Sequence, residues 1–157
     1  MPEHYIQNWQ MCGTGMLTKV AVELTPKFSD QPPCIVVSVP GHSQQHELRQ
    51  TETLEFEFDA DVGWIELKFM NKPDHDIDMA VIVQSISFFG ISDPKFVWAG
   101  IYTPKYPEPW YSQQTEPPPE QILSQTYMGW NGVWRLDFSV PVFTWMHKML
   151  NMGWLYD

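Results

Sequence analysis

The stretch TLEFEFDADVGWIELKF, residues 53–69, has the clearest alternation of apolar and charged side chains in this chain. Successive side chains of a β-strand point to opposite faces, so such alternation predicts a strand with one face in a core. The apolar rows are Leu54, Phe56 and Phe58 before the connection DADVG, and Ile65, Leu67 and Phe69 after it. The short connection predicts that the two strands form a hairpin.

Further segments extend this pattern along the chain. We predict additional strands at LTKVAVEL (17–24), CIVVSV (34–39), MAVIVQSISFFGI (79–91), KFVWAGIY (95–102) and VWRLDFS (133–139). Six prolines interrupt the periodicity between residues 103 and 128, which predicts a long aromatic loop there. The sequence therefore predicts one all-β domain over residues 1–157, an antiparallel β-sandwich of the jelly-roll type.

The last part of the chain changes to a helical pattern. Val142, Met146, Met149 and Leu150 follow one another at helical spacing, after a proline at position 141. This predicts a C-terminal helix over residues 141–152. Its apolar residues cover more than one face, so Phe143, Trp145, Met149 and Trp154 are expected to contact another subunit or the sandwich itself.

Charge narrows the classes of partner. The chain has 19 acidic and 9 basic residues, a formal net charge of −10, and the basic residues are scattered. A protein of this kind repels nucleic acid and anionic lipid, so neither is expected as a partner. We also expect no transmembrane helix and no signal peptide. The two cysteines, Cys12 and Cys34, fit a protein made in a reducing cytoplasm.

The loop NKPDHDIDMAV, residues 71–81, contains the candidate metal ligands Asp74, Asp76 and Asp78. They match the first three ligand positions of an EF-hand, but Met79 and Ser85 stand where that motif requires Gly and Glu. Two interpretations stay open. The carboxylates form a looser oxygen cage for calcium, or they are solvated at a loop tip where water and salt screen them.

Aromatic residues in and before the proline-rich loop form a second candidate site. They could form a platform on which sugar rings stack, or they could be buried against the domain or a neighbouring subunit. The residues are Trp98, Tyr102, Tyr106, Trp110 and Tyr111.

We expect no catalytic activity. Glycosidases need two carboxylates across a cleft, and Glu55, Glu57 and Asp59 are equally explained as the solvent side of an amphipathic strand. The chain has no nucleophile elbow, no metalloprotease motif and no phosphate-binding glycine loop. No catalytic residue is therefore assigned.

The segment WIELKFMNKPDHDIDMAVIVQSISFFGI, residues 64–91, carries a resemblance. A strand ending in Phe-x-Asn, an Asp-rich loop and a strand ending in Gly-Ile are similar to the central part of the small calcium-dependent xylan-binding modules. The stretch from Leu54 to Ile91 resembles equally the β-sandwich virion proteins of tailed bacteriophages. In the modules the loop aspartates ligate calcium and the metal meets sugar hydroxyls. The resemblance thus implies that Asp74, Asp76 and Asp78 hold calcium.

Two functional hypotheses follow. The first is a non-enzymatic virion structural protein, a decoration, tail or baseplate subunit, which docks onto other virion subunits in a multimeric assembly and is located in the virion. The alternative is a carbohydrate-binding module, calcium-dependent or not. The two overlap, because a virion decoration could also hold a host glycan.

Overall fold

The computed structural model describes residues 16–74 and 78–151. Within these ranges it contains eleven strands, two α-helices and one short 3-10 helix. The strands are β1 (Met16–Lys27), β2 (Cys34–Val39), β3 (His42–Glu47), β4 (Glu52–Ala60), β5 (Gly63–Phe69), β6 (Ala80–Phe88), β7 (Ile91–Ser92), β8 (Ile101–Pro104), β9 (Ile122–Leu123), β10 (Tyr127–Met128) and β11 (Gly132–Phe138). The helices are α1 (Pro94–Trp98), the 3-10 helix (Tyr111–Gln113) and α2 (Val142–Asn151).

The strands form two sheets with antiparallel pairing throughout the described ladders. The first sheet has the order β10-β6-β1-β4, with β7 also paired to β6. The second has the order β3-β2-β5-β11-β8-β9. This arrangement confirms the predicted antiparallel β-sandwich.

The predicted apolar rows form the core between the sheets. Each is buried, with the charged residues of the same strands pointing outward. The alternation predicted for residues 133–139 is confirmed in the same way, since Trp134 and Leu136 in β11 are fully buried. Burial of these side chains, at roughly 1.5–3 kcal/mol each, is the main stabilising contribution.

The predicted hairpin of β4 and β5 is wrong. β4 pairs with β1 in the first sheet, and β5 pairs with β2 and β11 in the second, so residues 61 and 62 carry the chain between the sheets. Alternation fixes which side of a strand faces the core, but two strands facing one core from opposite sheets have the same pattern.

Two other segments differ from expectation. Residues 95–102 were predicted as one strand, but α1 occupies the first part: Pro94 stands in its first turn, and Lys95 N donates to Asp93 Oδ1 at 2.9 Å as an N-cap. The strand β3 was missed because it is an edge strand whose side chains are almost all exposed. An edge strand without a core-facing row has no apolar period to detect.

The predicted C-terminal helix is confirmed as α2, and it packs over one end of the sandwich. The Trp145 ring lies 5.6 Å from Phe88, 5.3 Å from Phe96 and 6.1 Å from Phe138, measured between centroids. Gly63 belongs to the same end: a Cβ atom there would lie 2.3 Å from the Phe138 ring. We call this the closed end.

The proline-rich region is shorter than predicted. β8 continues to Pro104, and β9 and β10 lie between residues 122 and 128, so the longest irregular part covers residues 105–121 and includes the 3-10 helix. None of the helices in the described ranges is long and apolar enough to cross a membrane.

Candidate functional site

The opposite end of the sandwich, the open end, brings three strand termini together. Phe69 at the end of β5 pairs with Gly132 at the start of β11, and Gly132 pairs with Pro104 at the end of β8. A Cβ atom at position 132 would lie 2.4 Å from the Thr103 carbonyl oxygen, so only glycine allows this approach. The acidic loop after β5 and the aromatic region after β8 therefore leave the second sheet side by side.

Hydrogen bonds fix the start of the acidic loop. Lys72 N donates to Asn131 Oδ1 at 2.8 Å, and Asn131 Nδ2 donates to the Lys72 carbonyl oxygen at 2.8 Å. The Asn131 side-chain amide thus makes the same pair of hydrogen bonds to Lys72 that a partner backbone makes in an antiparallel β-ladder. Asn71 acts similarly on the other side, accepting from Cys34 N at 2.7 Å and donating to the Pro32 carbonyl oxygen at 3.1 Å. Residues 71 and 72, at the start of the acidic loop, are therefore held by side-chain hydrogen bonds.

Four rings form an aromatic cluster at this end, composed of Tyr106, Trp110, Tyr111 and Trp130. Tyr106 stacks on Trp110 at 5.4 Å and on Tyr111 at 6.0 Å, and Trp110 contacts Trp130 at 5.0 Å. Lys72 Nζ lies 5.1 Å from the centre of the Trp130 ring, a cation–π distance. The base of the acidic loop and the aromatic cluster are therefore in direct contact.

The cluster rests on a buried tyrosine. Tyr102 is 1% exposed, and its hydroxyl donates to the Trp130 carbonyl oxygen at 2.5 Å and accepts from Trp130 N at 3.0 Å. Burial raises the pKa of the Tyr102 phenol above its ordinary value, because the phenolate would lose its hydration. Tyr102 was predicted as a contact residue, but a ring in this position supports the cluster from below and does not meet solvent.

A groove of about 760 Å³ runs between the two loops. Its walls include one residue of the acidic loop, the first residues of the aromatic region, and the outer ends of β5, β8 and β11. The lining residues are Lys68, Phe69, Met70, Asp74, Thr103, Pro104, Lys105, Tyr106, Pro107, Glu108, Asn131, Gly132 and Val133. A recess of about 390 Å³ adjoins it at Pro104 and Tyr106, and Tyr111 also lines this recess.

Of the three candidate metal ligands, the structure describes Asp74 and Asp78. Asp74 lines the groove, whereas Asp78 pairs with Lys27 at 3.2 Å, with both side chains exposed. Asp76 lies outside the described residues. Within the described ranges, no three His, Cys, Asp or Glu residues are grouped so that they could hold a metal ion. Calcium takes six to eight oxygen ligands, so the described side chains alone do not form its site.

The other candidate residues lie away from the cluster. Trp98 ends α1, is 53% exposed, and lines a different recess with Thr126. In α2, Trp145 and Met149 are partly buried against the core of their own domain, and their contact with another subunit stays a prediction. Phe143 is 51% exposed and stacks on Phe89, and Trp154 lies outside the described residues.

Trp130 and Asn131 were not predicted as site residues from the sequence. A signal for both was present in GWNG, residues 129–132, where glycines flank a tryptophan and an asparagine just before a predicted strand. Glycines at such a position mark a close backbone approach, and the polar and aromatic residues between them are placed at a strand terminus.

Comparison with known proteins shows which solved structures share this fold. No family model and no curated protein matches the chain. A solved structure described as vCBM60 in complex with galactobiose is similar, with a TM-score of 0.52 and 15% identity over 76% of this chain and 97% of that chain. The selenomethionine form of vCBM60 is also similar, with a TM-score of 0.50 and 16% identity over 76% and 90% of the two chains. It is described in connection with two families of calcium-dependent carbohydrate binding modules linked by circular permutation. The chain therefore shares the β-sandwich fold of calcium-dependent carbohydrate-binding modules.

Proposed function

We propose that this domain is a carbohydrate-binding module whose contact surface is the aromatic cluster and the adjoining groove. The observation that supports it best is the convergence of the acidic loop and the aromatic region at the open end. These segments are separate in sequence, yet Lys72 contacts the Trp130 ring, which in turn packs against Trp110. The alternative hypothesis of the sequence analysis is thus better supported than the virion hypothesis.

The chemistry of the surface suits a sugar. A pyranose ring has an apolar face of C–H groups, which packs against aromatic rings, and a polar rim, which needs hydrogen-bonding partners. Tyr106 and Tyr111 are nearly parallel, with an interplanar angle of 4°. The groove adds polar groups beside them, among them Thr103, Lys105 and Asn131.

The Trp110 side chain gives the first test. We expect Trp110→Ala to weaken binding of soluble polysaccharide by about 10- to 100-fold, because losing a buried ring contact costs roughly 1.5–3 kcal/mol. Binding is measured by isothermal titration calorimetry across a panel that includes xylan, galactobiose and other neutral and acidic glycans. Trp98→Ala is the matched control, since it removes an exposed tryptophan elsewhere and should leave affinity unchanged.

Two results would contradict the proposal. One is a panel in which no glycan binds the folded wild-type protein. The other is equal affinity of wild type and Trp110→Ala for a glycan that does bind, which would place the sugar elsewhere.

Calcium dependence belongs to the same proposal, with Asp74, Asp76 and Asp78 as the candidate ligands. When bound, the ion would supply coordination to sugar hydroxyls. If the loop holds calcium, the melting temperature rises with added calcium, because a ligand at 100 times its Kd stabilises by about 2.7 kcal/mol. Asp76→Ala should abolish that rise, and an unchanged melting temperature in calcium and in EDTA would remove calcium from the proposal.

Virion assembly and virion localisation stay predictions of the sequence analysis. None of the similar structures is a virion protein. Trp145 and Met149, two of the residues expected at an interface, are partly buried against the domain itself. Size-exclusion chromatography of the isolated chain is the direct test, with a glycan-binding monomer as the result that would count against assembly.

A further inference from the structure

The groove at the open end differs in charge from the rest of the molecule. The chain has 9 basic residues against 19 acidic ones. Two of those basic residues, Lys68 and Lys105, line the groove, and a third, Lys72, lies against the adjoining Trp130 ring. Two acids, Asp74 and Glu108, line the same groove. The lining is therefore balanced in charge, whereas the chain as a whole carries −10.

The surroundings of Lys68 leave its charge without a nearby acid on the sheet. Its cross-strand partners are Val36 on β2 and Val133 on β11, both uncharged. The nearest acid along β5 is Glu66, whose Oε2 accepts from Arg135 Nη1 at 3.2 Å. The residues directly opposite Lys68 on both neighbouring strands are therefore apolar.

The acids of the groove are differently placed. Glu108 Oε1 accepts from Ser112 N at 3.0 Å and from Ser112 Oγ at 2.7 Å, so this carboxylate caps the 3-10 helix. Asp74 is exposed at the acidic loop. Lys105 is held at the groove by its backbone, since Lys105 N donates to the Asn131 carbonyl oxygen at 2.6 Å. The two lysines therefore share the groove with Glu108, whose carboxylate is hydrogen-bonded to Ser112, and with the exposed Asp74.

We propose that the groove selects glycans that carry carboxylates, with uronic acid residues bound by Lys68 and Lys105 while a neighbouring ring stacks on the aromatic cluster. This inference rests on the proposed function and specifies its ligand class. Hydrogen bonds between an ammonium group and a carboxylate are about twice as strong as neutral ones. A uronate therefore gains over the matching neutral sugar at these positions.

The overall charge of −10 does not remove this preference. Exposed charges farther apart than a Debye length of about 8 Å are largely screened at physiological ionic strength. The distant acids slow the approach of a polyanion, while the contact with the two lysines determines the affinity once it is bound.

The test uses polymers that differ only in their carboxylates. A glucuronoxylan and a polygalacturonate are each titrated before and after chemical reduction of the carboxyl groups. For at least one polymer we expect the native form to bind about tenfold or more tightly than the reduced form, as a charge-assisted contact implies. Lys68→Met and Lys105→Met should each weaken binding of the native form several-fold to tenfold more than binding of the reduced form.

The control variant is Lys19→Met, which removes an exposed lysine from the outer surface of the other sheet. It should bind native and reduced polymer like the wild type. Equal affinity for native and reduced forms would overturn the selection of carboxylates while leaving carbohydrate binding intact. Unchanged binding of the native polymer by both Lys68→Met and Lys105→Met would overturn the assignment of the groove. Absence of binding to either polymer in either form also overturns it, and the wider glycan panel then decides carbohydrate binding separately.

Discussion

Replacing Tyr102 by Phe tests whether the aromatic cluster depends on the buried hydroxyl beneath it. The substitution keeps the ring and removes one oxygen, which both donates to the Trp130 carbonyl oxygen and accepts from Trp130 N. Each of the two backbone groups then loses its partner, at a cost of about 1 kcal/mol or more per group. We expect the free energy of unfolding to fall by roughly 2 kcal/mol, which corresponds to roughly 4–8 °C in melting temperature for a domain of this size.

The assay is urea denaturation followed by tryptophan fluorescence, in which the midpoint should fall while the m-value is unchanged. Tyr106→Phe is the matched control, because it removes a hydroxyl that donates to the Pro119 carbonyl oxygen at 2.6 Å at the surface. Water replaces that bond, so its loss should cost no more than about 0.5 kcal/mol. If Tyr102→Phe proves no more destabilising than Tyr106→Phe, the hydroxyl does not hold the cluster.

Three further outcomes are expected. Burial raises the pKa of the Tyr102 phenol, so the unfolded chain releases its proton first. Stability should therefore fall as pH rises above about 10, and the difference between urea midpoints at about pH 9 and about pH 11 should be smaller in Tyr102→Phe than in the wild type. Gly100→Ala places a Cβ atom 2.0 Å from Cζ2 of the buried Trp134 ring, and calorimetry should show a loss of about 3 kcal/mol; an unchanged melting temperature would refute that packing. Asn131→Ala removes both 2.8 Å bonds to Lys72 and should lower stability by roughly 2 kcal/mol and also weaken glycan binding. Wild-type affinity in that variant would show that the base of the loop does not position the site.

The alternation of apolar and charged side chains was sufficient to predict the strands that face the core. Leu54, Phe56 and Phe58 alternate with acids, and the structure buries that row as predicted. The pattern could not assign strands to sheets, because both sheets present the same apolar row to one core. β4 and β5 therefore lie in different sheets, and residues 61–62 connect the two sheets.

The sequence predicted some residues of the candidate site, but not all of them and not which ones are buried. Sequence identified Tyr106, Trp110 and Tyr111 as a group, and the structure stacks them together. It could not separate them from Tyr102, because burial of a tyrosine in a short strand depends on the sheet packed behind it. Trp130 was missed for the complementary reason, since its neighbours in space come from residues far away in the chain.

The two ends of the sandwich have different consequences for how this domain can change. At the closed end, the Phe138 ring occupies the space where any side chain larger than that of Gly63 would need to fit, so variation there disrupts the corner. β5 and β11 pair over seven residues between the closed end and the open end. At the open end, the loops begin where this pairing is complete. Under the proposed function, exchange of the loop sequences at that end would alter ligand preference while leaving both sheets in place.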